Sequence, residues 1–194
     1  MRAKDTSRAS RPDRSPVPSK LRSVLAAVVG LGAMVGGCVI GGSTIYHVDD
    51  PFQFLAHAAG HGGIAIMVVG DPYPGRGDQV GSAIAAAFDR TFASLGNPFR
   101  VAAPSADPVS KIVVLFNASN ELARNVCADP TKIITGPTGA RMTVRAYYCG
   151  DGPYSEYSMS FFPPQSPEDE KFAELMRQLA RFTVPREINP DRLR

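Results

Sequence analysis

The chain has 194 residues, of which 44% are hydrophobic and 20% are charged, and it contains no tryptophan. This length allows one ordinary domain with an appendage, and the composition excludes a wholly disordered chain, a collagen-like chain and a protein with many membrane spans. The formal net charge of +3 is unevenly divided, because residues 1–22 contribute +5 and the chain after residue 38 contributes −2. Phosphate backbones require clustered positive charge, so the mixed charges of the second part predict no nucleic-acid partner.

The first 37 residues have the pattern of an export signal. A basic stretch is followed by an uncharged, mostly apolar stretch from Ser23 to Gly37, which is the order found in secretory signals. This stretch ends in Val35-Gly36-Gly37-Cys38, which resembles the lipobox of bacterial lipoprotein signal peptides. The resemblance implies cleavage before Cys38, acylation of its thiol and a domain on the periplasmic face of a membrane. Val39 after the cysteine favours the outer membrane slightly over the inner membrane.

A single-pass membrane protein is the alternative interpretation of the same segment. Residues 23–46 are long enough to cross a hydrocarbon core of about 30 Å as an uncleaved helix, with the basic flank in the cytoplasm. Several glycines oppose a stable helix there, and a buried helix of the domain is a third possibility. Both anchored alternatives place the remainder of the chain on the same side of the membrane.

The remainder of the chain predicts one α/β (α+β) domain over residues 51–185, between a tether at 38–50 and a tail at 186–194. Apolar runs bounded by turn residues indicate buried strands, and alternating runs indicate half-buried strands. The predicted strands are Gly63–Gly70, Phe99–Ala103, Lys111–Asn117, Arg141–Cys149 and Tyr154–Phe162.

Two main helices are predicted from apolar stripes at helical spacing. One spans Asp78–Leu95 with Asp78 as its N-cap, and the other follows a Ser166 cap and ends before Pro185. Shorter helices are predicted at 51–59 and 120–127. The first two strands enclose a helix and should be parallel, and the last two form an antiparallel hairpin. This order predicts a mixed sheet of about five to six strands with the two main helices on one or both faces.

The chain has three cysteines, of which one is a candidate for lipidation and two are candidates for a disulfide. If Cys38 carries lipid, Cys127 and Cys149 remain as an even pair, and an oxidising compartment favours a disulfide between them. Such a bond stabilises a fold by about 3 kcal/mol, whereas two reduced, partly buried thiols are the alternative. Strand alternation places Cys149 on the same face as Arg145 and Tyr147, so the bond is expected over a polar face.

One possible interaction patch follows from the same alternation. Tyrosine and arginine are favoured in interfaces, and the predicted hairpin carries several of them on its polar face. Ordinary exposed strand side chains are the alternative explanation. The residues of this patch are Arg141, Arg145, Tyr147, Tyr154 and Tyr157.

An enzymatic function has little support in the sequence. No Gly-x-Ser-x-Gly motif is present, and we predict no catalytic residue, metal ligand or cofactor. The alternative is a membrane-anchored, metal-dependent enzyme that uses His57 and His61, four residues apart, with Asp49 or Asp50. The leading hypothesis is a lipid-anchored binding or assembly accessory of the bacterial envelope, with the bilayer and an envelope protein as its partners.

Overall fold

Six strands form a single mixed sheet in the computed structural model, which describes residues 42–119 and 122–186. The sheet order is β1-β6-β5-β4-β2-β3, in which β2 pairs in parallel with β3 and β4 while the other neighbours are antiparallel. The predicted fold class and the predicted hairpin are therefore confirmed. The strands are β1 (Gly42–Tyr46), β2 (Ile64–Val69), β3 (Phe99–Ala102), β4 (Lys111–Phe116), β5 (Met142–Cys149) and β6 (Pro153–Phe161).

Two long helices and two shorter ones pack on this sheet. The long helices, α2 and α4, correspond to the two predicted main helices. Short 3-10 turns follow α2 at Ala93–Leu95 and follow α3 at Pro130–Lys132. The helices are α1 (Pro51–Gly60), α2 (Gly77–Thr91), α3 (Ala123–Ala128) and α4 (Glu170–Thr183).

The larger core lies between one sheet face and the helices α2 and α4. Strand residues at every second position, such as Ile112, Val114 and Phe116, belong to it together with the apolar stripes of both helices. A buried aliphatic or aromatic side chain contributes about 1.5 to 3 kcal/mol relative to an exposed one, so these stripes hold the helices on the sheet. The stripe of α4 consists of Phe172, Leu175, Met176 and Leu179.

A smaller core covers part of the opposite face. It contains Val126 and Cys127 of α3, Ile133 of the following segment, and the side chains of β2, β4 and β5 that point to this side. The predicted alternation of β5 is correct, but the prediction of a polar face is wrong near its end. Tyr147 is only 1% exposed there because the chain around α3 lies over it.

The predicted tether at 38–50 contains the edge strand β1. Gly42–Tyr46 pairs antiparallel with β6, with Thr44 opposite Tyr157 and Ile45 opposite Glu156. The β-branched residues of this segment suit a half-buried edge. The Tyr157 ring packs closely on this strand, since a Cβ atom at Gly42 would lie 2.8 Å from a ring carbon of Tyr157.

Both predicted caps of the main helices differ from the structure. Asp78 lies in the first turn of α2 rather than at its cap, which is Arg76. Asp169, not Ser166, caps α4, and its carboxylate accepts a hydrogen bond of 2.9 Å from the Lys171 amide. A carboxylate in the first turn also interacts favourably with the helix dipole, as a capping carboxylate does. An aspartate near the start of a helix therefore does not reveal which of the two positions it occupies.

The predicted signal segment, Cys38 and the end of the tail from residue 187 onward lie outside the described residues. No helix within 42–119 and 122–186 combines the length and the hydropathy needed to cross a bilayer.

Candidate functional site

A cleft of about 560 Å³ lies where the ends of α2, α4 and β1 meet. This volume is within the range of about 300 to 1,000 Å³ that is common for ligand sites. Its lining is mostly arginine and apolar side chains. The lining residues are Tyr46, Arg90, Thr91, Phe92, Arg177, Arg181, Phe182, Val184, Pro185 and Arg186.

The folding of α2 and α4 explains why arginines gather here. Arg90 lies in the last turn of α2 and Arg181 in the last turn of α4. A cation in the last turn is favoured by the helix dipole, at about 0.3 to 1 kcal/mol at an exposed site. Because the two helices end at the same side of the sheet, this local preference brings both charges to one cleft.

The charge of Arg177 is already neutralised within α4. Its guanidinium lies 2.8 Å from the Glu170 carboxylate and 2.5 Å from that of Glu174. The hydrogen bond from Arg177 lowers the pKa of Glu170, and the bonds to Glu170 and Glu174 raise the pKa of Arg177. Arg177 therefore forms part of the wall of the cleft, but its charge is compensated within α4 and is not available to a ligand.

The other arginines of the cleft are less compensated than Arg177, although the charge of Arg90 also helps to lower the pKa of Glu170. Within the described ranges, Arg90, Arg181 and Arg186 form no ion pair with a carboxylate. The Arg186 guanidinium donates to the Thr91 carbonyl at 3.0 Å and lies 5.9 Å from the centre of the Phe92 ring. Stacking on an aromatic face orients a guanidinium while leaving its outer donors available.

Apolar surface lies directly beside these charges. The Phe182 side chain is 38% exposed, and its ring centre is 5.1 Å from that of Tyr157. Guanidinium groups bind carboxylates and phosphates through paired hydrogen bonds. The cleft can therefore hold an anionic group that is attached to an apolar one.

The interaction patch predicted on the hairpin is only partly assembled. Three of its residues, Arg145, Tyr147 and Tyr157, line one pocket of about 300 Å³. Tyr147 is buried in the smaller core and Tyr157 in the larger one, on opposite faces of the sheet. Tyr154 packs on Tyr148, with ring centres 5.1 Å apart, and Arg141 lies beside Phe162 at the other end of the hairpin. The fifth residue, Arg145, is half-buried. The prediction is wrong because it assigned all three tyrosines to one solvent-facing side.

The alternative metal site also does not form. Asp50 accepts a hydrogen bond from the Gln53 amide at the start of α1, whereas His57 and His61 stack at its end with ring centres 4.2 Å apart. His57 lies seven positions after Asp50, which corresponds to about 10 Å along the helix. In the part of the chain that the structure describes, no group of three or more His, Cys, Asp or Glu side chains could hold a metal ion.

The predicted disulfide is present. Cys127 of α3 and Cys149 of β5 are bonded, and their Cα atoms are 5.5 Å apart. The bond lies within the smaller core rather than over a polar face. It connects the short helix α3 to the central part of the sheet.

Sequence reasoning missed the arginines of the cleft. Arg177 and Arg181 are four residues apart on α4, which places them on one side of that helix. That spacing is a detectable signal, but it gave no reason to join them to Arg90, which is far away in sequence. Only the packing of α2 beside α4 brings these side chains together.

Comparisons with known proteins give only distant likenesses. No family model matches the chain, and no curated protein matches it. Among solved structures, the PelC dodecamer from Paraburkholderia phytofirmans is similar with a TM-score of 0.40 and 10% identity, over 76% of this chain and 99% of that chain. A PDZ domain protein from Parabacteroides distasonis is similar with a TM-score of 0.39 and 11% identity, over 86% of this chain and 41% of that chain. Likenesses at these values carry no argument about function.

Proposed function

We propose that this chain is a bacterial envelope lipoprotein, held in a membrane by acyl chains on Cys38, with a periplasmic domain that serves as a binding or assembly accessory. The observation that carries the proposal is the use of the cysteines. One of them ends a lipobox-like sequence, and the other two form a disulfide. These roles make all three cysteines consistent with an exported protein.

The disulfide supports an oxidising location. Disulfides persist in the periplasm and outside cells but are rare in reducing cytosol. The bond between Cys127 and Cys149 is buried in the smaller core, where it secures a helix of six residues. A short helix of this kind depends on external support, which gives the bond a structural role.

The basic cleft supports the binding role. Arg90, Arg181 and Arg186 present positive charge beside the exposed ring of Phe182. A partner that fits this chemistry carries an anionic group next to apolar surface, as an acidic segment of an envelope protein does. We therefore assign the partner contact to the cleft rather than to the hairpin.

Metabolic labelling with a palmitate analogue tests the anchor. We expect the wild-type chain to be labelled and the Cys38→Ala variant to be unlabelled, while the double variant Cys127→Ala, Cys149→Ala keeps its label. An unlabelled wild type, or a label that survives Cys38→Ala, contradicts the lipid anchor. An intact Met1 terminus in protein purified from membranes would instead support the single-pass alternative, and membrane fractionation tests the expected outer-membrane location.

Fluorescent probes test the cleft. Anilinonaphthalene sulfonate carries an anionic group on an aromatic body, and phenylnaphthylamine has a similar body without the charge. We expect Arg181→Glu to weaken binding of the sulfonate by about tenfold or more, the loss that corresponds to one charge-assisted contact of about 1.5 kcal/mol, and to leave the neutral probe unchanged. Arg141→Glu, at the other end of the domain, is the matched control. Equal sulfonate affinity in both variants would exclude the cleft as an anion site.

A further inference from the structure

We infer that the end of the domain at which β1 begins rests directly on the lipid surface and contacts it through Phe162, Ile134 and Arg141. This inference builds on the proposed anchor at Cys38. It assigns a membrane-contact surface, called here the membrane end, to residues that the rest of the fold does not use.

The first step is the reach of the chain. Cys38 lies four positions before Gly42, the first residue of β1. An extended chain spans at most about 3.6 Å per residue, so the acylated cysteine lies within about 14 Å of the sheet. No long tether exists that could hold the domain away from the bilayer.

The second step is the register at this end of the sheet. Gly42 lies opposite Met159, and β6 continues beyond that residue to Phe161. Two further residues of strand extend about 7 Å beyond the level of Gly42, at the end of the sheet where β1 begins. Phe162 follows immediately, so it lies beyond the level at which β1 begins.

The third step is the chemistry of the residues found there. Phe162 is 60% exposed, and the Arg141 guanidinium lies 5.8 Å from the centre of its ring. Aromatic side chains are favoured at the boundary between headgroups and acyl chains, and arginine places its charge among the headgroup phosphates. Insertion of an apolar side chain at this depth removes it from water without burying a charge.

Ile134 extends the proposed membrane-contact surface to the side. It is 75% exposed, and its carbonyl accepts a hydrogen bond of 3.3 Å from the Ser119 amide, just after β4 ends. Three strand spacings of about 4.8 Å separate β4 from β1, so Ile134 lies about 14 Å to the side of the chain's entry point. Two exposed apolar side chains and one arginine thus occupy the same end of the sheet.

Carboxylates also lie at this end, among them Asp78 in the first turn of α2 and Asp169 at the cap of α4. Two others have partners within the domain. Asp71, after β2, accepts a hydrogen bond from the Gly75 amide at 3.0 Å. Glu168, after β6, forms an ion pair of 2.7 Å with Arg76. Their charges are therefore partly satisfied within the domain, whereas Arg141 forms no ion pair with any described carboxylate.

Single-tryptophan probes test this surface, because the chain has no tryptophan of its own. The full chain is produced in a bacterial host, purified from membranes and reconstituted in vesicles that contain phospholipids brominated near the headgroup. The probes are Phe162→Trp and Ile134→Trp. The control is Val109→Trp, which is 84% exposed in the wild type and precedes β4 at the opposite end of the sheet.

We expect bromine quenching of the Phe162→Trp and Ile134→Trp probes to exceed that of Val109→Trp by about threefold or more, as for side chains that reach about 5 to 10 Å into the boundary region. Flotation of the vesicles and the palmitate label report the anchor separately. Equal quenching of all three probes in chains that float would overturn the membrane-contact surface and leave the anchor intact. Chains that do not float would overturn both.

Discussion

At the scale of single residues, Gly70 shows how closely two strands approach. It follows β2 with a φ of +94°, and a Cβ atom at this position would lie 2.7 Å from the Phe116 carbonyl oxygen of β4. Backbone cannot move aside as a flexible side chain can. Gly75, in the next loop, also has a positive φ of +76°, but no atom lies within 4 Å of the corresponding Cβ position.

The two glycines therefore form a matched pair. We expect Gly75→Ala to lower the free energy of unfolding by about 1 to 2 kcal/mol, the cost of a left-handed conformation for a residue with a Cβ. Gly70→Ala should cost more, by at least about 1 kcal/mol, because it adds a collision with the backbone of β4. Urea unfolding of both variants measures the difference, and equal losses would show that β4 moves aside without cost.

A buried tyrosine predicts the response to high pH. Tyr148 is 1% exposed, and burial raises its pKa to about 12. The folded state favours the neutral phenol. The contribution of Tyr148 to the free energy of unfolding is therefore fully present below pH 10 and is lost as the pH rises through 12. Tyr148→Phe should therefore reduce the loss of stability between pH 10 and pH 12 by about 1 to 2 kcal/mol. Denaturant unfolding at several pH values measures the slope for both proteins, and parallel slopes would contradict the prediction.

At the scale of elements, α3 is the least self-sufficient part of the fold. It has six residues and an N-cap, Leu122, that makes no side-chain hydrogen bond. Isolated helices shorter than about 12 to 15 residues are marginal in water. Its position depends on Val126 in the smaller core and on the bond between Cys127 and Cys149.

Removal of this bond should affect the smaller core first. We expect the double variant Cys127→Ala, Cys149→Ala to lose about 3 kcal/mol of unfolding free energy, since the bond closes a loop with a sequence separation of 22. Amide exchange should increase most in α3 and around Ile133, while α2 and α4 remain protected. The Cys38→Ala variant should match the wild type, and a uniform increase in exchange across the sheet would contradict a local role.

The sequence predicts elements better than it predicts which surfaces they cover. Periodicity located α2, α4 and the strands from β2 to β6, because their apolar patterns reflect the larger core directly. The edge strand β1 was missed, since its pairing with β6 depends on a partner more than a hundred residues away. Tyr147 was misassigned for a related reason: only the distant chain around α3 makes its face apolar.

At the scale of the whole domain, the membrane end and the basic cleft lie at opposite ends. Both α2 and α4 begin near the membrane end and run toward the cleft, and α4 with 14 residues spans about 21 Å. An anchored domain would therefore present Arg90 and Arg181 away from the lipid. Under the proposed anchor, this arrangement would keep the basic cleft apart from anionic headgroups, and no local sequence pattern reveals it.

The short connection between Cys38 and β1 should set this orientation. An insertion of about 15 glycine and serine residues before Gly42 adds a flexible chain with a root-mean-square length of about 21 Å. We expect the anchor to be kept, because acylation would depend on the sequence before and at Cys38. Quenching of the Phe162→Trp probe by the phospholipids brominated near the headgroup should decrease. An insertion of the same length in the loop before β4 is the control and should leave the quenching unchanged. Undiminished quenching in the lengthened connection would mean that the membrane end binds lipid by its own affinity and that the three-residue connection between Cys38 and Gly42 does not orient the domain.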